Sequence, residues 1–359
     1  MPPTQTRRSP LAPLALIAVI VALVALAFAW VGGWLIPGRI GGGTLANSLE
    51  YNAGRHPGWR RAHAKGLCVS GHFDANGQGV PLSRASVFRA GSYPVVGRFS
   101  TGGSDPFATD GRNVFHSMAL LFRLPGGEQW RMALDHTPVF PVANAPDFVA
   151  LQIASRPDPA THKPDPAKMK AYLGQHPETK AFLDYLANAP LPSSFANGTY
   201  YSINAFRFVD GAGARHAVRW QMEPEAPFAA LDKATLDQQP VDFLFDDAVA
   251  RLKQGPLRWH LVVVLANPGD RTDNATVTWP ADRRRIDVGT LVLDRAATEA
   301  DGGCRDVNFD PLVLPEGIAA SDDPLLPARS ATYSASFRRR AVEGPHPDAL
   351  TLAAKGGRA

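Results

Sequence analysis

Only two of the 359 residues are cysteine, Cys68 and Cys304, and no Cys-x-x-Cys or Cys/His cluster surrounds either. Structural zinc, thiolate-held iron–sulfur clusters and c-type haem attachment are therefore not indicated. The two cysteines form one disulfide or none. Basic residues are scattered apart from Arg283-Arg284-Arg285 and Arg338-Arg339-Arg340, and the formal net charge is only +4. A nucleic-acid partner is not indicated. No internal repeat with a period of about 20 to 50 residues occurs, which excludes solenoids and propellers. With 45% hydrophobic and 19% charged residues, the chain has ample material for a folded core.

One stretch lacks charge altogether. From Leu14 to Ile36 no charged residue interrupts an apolar run long enough to cross a bilayer as a helix. Ala27-Phe28-Ala29 is an Ala-x-Ala pattern, as in a cleavable secretory signal, but the apolar run continues through Trp30, Val31, Trp34, Leu35 and Ile36, which favours an uncleaved anchor. Arg7 and Arg8 precede it, which keeps the N-terminus cytoplasmic and carries the rest across. The resulting division is a cytoplasmic segment 1–13, a transmembrane anchor 14–36, a Gly-rich tether 37–44 built on Gly41-Gly42-Gly43, a folded body 45–345 and a flexible tail 346–359.

Within the body, residues 115–124, 199–209 and 257–266 read as strands, the last alternating Leu257, Trp259, Leu261, Val263 and Leu265 with Arg258 and His260. Residues 167–189 have helical spacing with a break near Gly174 to Pro177. Val241, Leu244, Phe245, Ala248 and Leu252 share one face of a further helix. The expected fold class is α+β, an antiparallel sheet or barrel with inserted and flanking helices.

Three segments could carry chemistry. Arg60-Arg61-Ala62-His63-Ala64-Lys65-Gly66 sets an imidazole among small residues and cations. Taken singly, such a histidine is more often structural. In Gly97-Arg98-Phe99-Ser100-Thr101, strand alternation turns Arg98 and Ser100 to one side. In Arg329-Ser330-Ala331-Thr332-Tyr333, helical spacing lets Arg329 reach the phenol and favour the phenolate, a suitable ligand for ferric iron, although a surface arginine stacked on a tyrosine ring has the same spacing.

In this order, together with Arg112, the strand from Phe115 to Phe122 and Thr137-Pro138-Val139-Phe140, these segments resemble the catalase superfamily, specifically its short catalase-related peroxidases. The resemblance spans residues 50–341. It implies a catalase-like antiparallel β-barrel holding haem b. His63 would be the distal base oriented by Ser100, and Tyr333 the axial iron ligand kept ionised by Arg329. Arg60, Arg98 and Arg340 would pair with the haem propionates, with Ala62 over the porphyrin and Phe140 against it. His63 would shuttle a proton between the two peroxide oxygens while an external donor supplies electrons. Full catalases carry Asn-Asn before Thr-Pro, whereas Asp135 and His136 stand here. That difference favours a peroxidase over an efficient catalase. The alternatives are a lipid-hydroperoxide rearranging enzyme and a haem-binding redox sensor. The electron donor and the oligomeric state are left open.

Overall fold

Apolar and polar residues alternate over the first half of the strand Leu257–Leu265, and its Leu257, Trp259 and Leu261 are buried. Such a strand needs a sheet with one covered face. The computed structural model, which describes residues 11–32, 40–112, 115–161 and 163–350, supplies one. Its strands are β1 (Gly66–Ala75), β2 (Gly91–Thr101), β3 (His116–Arg123), β4 (Gln129–Asp135), β5 (Tyr200–Tyr201), β6 (Phe206–Val209), β7 (Arg215–Pro224), β8 (Leu257–Leu265), β9 (Arg285–Ala297) and β10 (Ile318–Ala320). In the order β7-β5-β4-β3-β2-β1-β9-β8, eight of them close through a β7–β8 pairing into an antiparallel barrel, and β6 and β10 branch from β7. Phe73, Phe99, Phe122, Trp130, Trp220, Trp259 and Leu291 belong to the main core cluster.

The helices are α1 (Leu11–Val31), α2 (Gly42–Ala53), α3 (Ala145–Ala154), α4 (Pro166–Gln175), α5 (Thr179–Asn188), α6 (Phe243–Leu252) and α7 (Leu325–Glu343). Contacts divide the chain into two units, residues 1–40 and 41–359. In the first, α1 is uncharged, exposed throughout most of its length, and has a mean hydropathy of 3.0 over its best window, so it is long and apolar enough to cross a bilayer. Trp34, Leu35 and Ile36, counted in the anchor above, lie outside the described residues.

Three expectations need correction. Gly42 and Gly43 do not form a tether but open α2. A Cβ on Gly42 would sit 2.1 Å from the carbonyl oxygen of Ala331, so glycine lets α2 approach α7 closely. The stretch 199–209 is not one strand: Ile203 has φ of 63°, and the Asn204 N–H donates to the Ser202 carbonyl, which splits it into β5 and β6. The segment 346–350 is packed, with His346 stacked on Trp59 at 3.6 Å and Leu350 in the core, because the chain runs back over the body after α7. Residues 351–359 of the expected tail lie outside the described residues. The break expected near Gly174 to Pro177 separates α4 from α5. Cys68 and Cys304 are joined by a disulfide across 236 residues of sequence.

The end of α7 is pinned to the segment leading to His63. Arg61 donates to Glu343 at 2.6 Å, the Gly58 N–H at 2.8 Å and Arg55 at 3.1 Å. Burial alone would push this carboxyl up, but these donors hold it at about 2, below its ordinary 4.5. A carboxyl lowered on folding contributes stability that is in place above its unfolded value and is lost as pH falls toward its folded one. Glu343→Gln should cost on the order of 2 kcal/mol at neutral pH, and this difference should shrink as pH falls from about 5 toward 2. Chemical denaturation across that range measures it.

Candidate active site

Alternation makes a barrel strand two-faced. On β2, β3 and β4 the inward residues Phe99, Met118, Leu120, Met132 and Leu134 are large and buried. On the opposite face, the two rows toward the end that bears Ser100 are small or polar, and beyond them Val96 and Leu121 pack in a separate cluster. The register aligns Ser100, Ser117 and Asp135 in one row and Arg98, Ala119 and Ala133 in the next. Small residues leave a slot against the outside of the sheet. Residues of α2, α3 and α7 complete a cavity of about 520 Å³ around it, a size typical of small-molecule and cofactor sites. Its lining includes Arg60, Ala62, His63, Arg98, Ser100, Asp135, Phe140, Arg329, Tyr333 and Arg340. Residues far apart in sequence, from 60 to 340, thus share one space.

His63 lies in the segment between α2 and β1, with φ of 54°, a left-handed conformation that costs energy for a residue with a Cβ. The backbone around it is tied down. Arg98 donates to the carbonyls of His63 at 2.8 Å and Ala64 at 3.0 Å, and the Ala64 N–H donates to Gly103 at 3.1 Å. Behind it, buried Lys65 pairs with Asp110 at 2.7 Å and Asp242 at 2.6 Å. Burial pushes the imidazole pKa down, Asp135 opposes this and Arg98 adds to it, so the neutral, proton-accepting form is favoured. Among the described residues its buried Nδ1 makes no well-formed hydrogen bond, with Ser100 or any other residue, although the Thr101 backbone beside the ring also favours the protonated form. Ser100 shares the cavity wall with His63.

Tyr333 and Arg329 are one turn apart on α7. Burial pushes the phenol pKa up, Arg329 and Arg60 pull it down, and Asp135 adds to the rise. Arg329 is itself held in place. It donates to Asn204 and, at 3.0 Å, to the Ala133 carbonyl, and Asn204 donates to Asp323 at 2.8 Å. The break between β5 and β6 is what brings Asn204 to this position.

At another part of the wall, the buried guanidiniums of Arg98 and Arg340 and the largely buried one of Arg60 lie around one buried carboxylate. Glu299 takes hydrogen bonds from Arg98 at 2.8 and 3.1 Å and lies 4.0 Å from Arg60. Arg60 also donates to the carbonyls of Cys304, Arg305 and Val307, and Arg340 to that of Arg305 at 2.6 Å. The disulfide holds this loop against β1. Burial lowers the pKa of Arg60 well below the usual arginine range, with repulsion from Arg340 and Arg98 adding to it, and Arg340 falls to about 10, chiefly through burial. Among the described residues the Nε atoms of Arg60 and Arg340 have no hydrogen-bond partner. Excess positive charge with free buried donors suits an anion. Arg98 differs from the sequence expectation, since its Nε and both terminal nitrogens already serve Glu299 and the His63 segment.

Two further residues complete the comparison. Phe140 lies on the wall, parallel to Phe148 with centroids 6.1 Å apart. His136 is not on the wall. It follows the last residue of β4, so it turns away from Asp135 and packs by Phe115, with its Nδ1 3.1 Å from the His116 N–H. A direct role in the cavity is therefore not supported. Ser117, Asn204, Glu299 and Asp323 were not anticipated. Only Ser117 had a signal, since in the expected strand 115–124 it shares a face with Ala119.

A family model described as "Catalase" matches residues 46–352. The chain belongs to the catalase family. It is 39% identical over 296 residues to a catalase-related peroxidase of Synechococcus elongatus, covering 82% of this chain and 87% of that one. A catalase-related peroxidase of Mycolicibacterium paratuberculosis is 32% identical, with 82% and 93% covered. Among solved structures, catalase A of Saccharomyces cerevisiae superposes with a TM-score of 0.71 at 19% identity over 79% of this chain and 61% of that one. The chain thus spans about three fifths of the length of that catalase, and the same barrel underlies both.

The family implies haem, and the wall fits it: unpaired Arg60 and Arg340 donors for propionates, a phenol beside an arginine for the iron, and a buried imidazole with a free nitrogen. Glu299→Gln should leave three guanidiniums without their buried counter-charge. A loss of about 3–5 kcal/mol is expected, read by denaturant midpoint against the parent chain.

Proposed function

We propose that this chain is a haem b-dependent peroxidase that reduces peroxides with electrons from an external donor and has little catalase activity. It is a peroxide-acting oxidoreductase of the catalase family. The observation that carries the reading is the single cavity shared by His63, the Arg329/Tyr333 pair and the Arg60/Arg340 donors. Bound haem would supply the redox chemistry that no side chain here provides.

Tyr333 would hold the iron, with Arg329 lowering the cost of the phenolate. Arg60 and Arg340 would take the propionates. His63, kept neutral by burial, would accept the peroxide's proton at one oxygen and return it at the other, easing heterolysis of the O–O bond. Asp135 replaces the amide that would orient a second peroxide, which supports donor oxidation over disproportionation. An apolar stretch of wall, Leu45, Leu49, Phe148 and Leu151, favours a second reading in which organic or lipid hydroperoxides are the substrates. Product analysis by mass spectrometry separates their reduction from their rearrangement.

The segment around α1 would anchor the enzyme in the cytoplasmic membrane, with the body in the periplasm. Arg7 and Arg8 before the helix support that orientation, and the Cys68–Cys304 disulfide supports an oxidising compartment. The protein should stay in carbonate-washed membranes, and external protease should digest the body in spheroplasts. Release by carbonate as a shortened chain would identify a cleaved signal instead.

Tyr333→Phe is expected to lose haem or shift its absorption strongly. His63→Ala should retain haem and oxidise a dye with hydrogen peroxide at least about a hundredfold more slowly. Oxygen evolution measured beside dye oxidation should be minor. A colourless wild-type protein, or unchanged turnover in His63→Ala, would remove the corresponding assignment.

A further inference from the structure

On the barrel wall of the cavity that His63 also lines, β4 carries a carboxylate held in place by a hydrogen bond. Ser117 and Asp135 are direct cross-strand partners on β3 and β4, and the Ser117 hydroxyl donates to Asp135 Oδ1 at 2.6 Å. Both residues are nearly buried, and both line the cavity. Among the described residues no cation pairs with the carboxylate: Arg98 is committed to Glu299 and to the carbonyls of His63 and Ala64, and Arg329 to Asn204 and Ala133. Among the described residues, the one side-chain hydrogen bond to the carboxylate is that of Ser117 to Oδ1. Asp135 is also the leading charge that raises the basicity of His63, so its field reaches the imidazole.

A carboxylate in this position differs from an amide in two ways. It can only accept hydrogen bonds, and it carries charge into a poorly solvated space, where a like charge is repelled far more strongly than in water. We propose that Asp135, fixed by Ser117, is a specificity-determining residue that admits neutral O–H-bearing ligands, such as hydrogen peroxide and neutral hydroperoxides, and turns anions away from the His63 side of the cavity. Ser117 is its positioning residue. This inference rests on the haem reading above.

The test uses haem-loaded protein and equilibrium binding followed by absorption, with azide as the anion and imidazole in its neutral form as the control. Asp135→Asn should tighten azide binding at least about tenfold while changing imidazole affinity less than about twofold. Asp135→Ser, which removes the charge without adding an amide, should do the same and serves if the first variant loads poorly. Ser117→Ala keeps the charge. It should leave azide affinity near the wild-type value and raise KM for hydrogen peroxide more than it lowers kcat, with Ser117→Thr restoring KM. Haem-loaded variants whose azide affinity matches wild type would overturn this proposal alone. Equal tightening of azide and imidazole would also overturn it, because the substitution would then merely have opened the cavity. Failure of the wild-type protein to take up haem would overturn the functional reading, and this proposal with it.

Discussion

The site depends on the antiparallel pairing of β2, β3 and β4. Side chains on paired strands must alternate between two faces, so the register that packs Phe99, Met118 and Leu134 inside the barrel also sets Ser100, Ser117 and Asp135 in a row outside it. A slip of one residue would exchange the two sets and fill the slot with core side chains. The cavity is thus a by-product of barrel closure combined with small outward residues, and the helices complete the wall.

Charge is the second constraint. Burying Arg98 and Arg340 beside the largely buried Arg60 is costly, and one carboxylate, Glu299, offsets only part of it. The remaining donors point to an anion, and they are held by carbonyls of a loop that the disulfide secures. The Arg329–Asn204–Asp323 chain does similar work beneath Tyr333. In both places a titratable group near the cavity is positioned by residues that do not themselves line it.

Much was legible in local sequence. Alternation marked β3 and β8, the Gly174 to Pro177 break separated two helices, and the spacing of Arg329 and Tyr333 put them on one turn of α7. Family resemblance assembled the wall residues, and all but His136 line the cavity. Local pattern misled where a long-range contact decides the conformation. Three glycines read as a tether, yet Gly42 is there because α7 lies against it. The stretch 199–209 reads as one strand, yet it breaks where Asn204 must reach Arg329.

The sequence by itself determined what is local: an uncharged helix of membrane-spanning length, the strand periodicity, and the spacing of Arg329 and Tyr333 on one helical turn. Tertiary structure alone decided which charges meet. Glu299 reaches Arg98 across 201 positions, Cys304 joins Cys68 across 236, and Ser117 faces Asp135 through strand register rather than proximity in the chain. Pairings of that kind are set by barrel closure, which brings residues together irrespective of their separation in sequence. No local pattern encodes them.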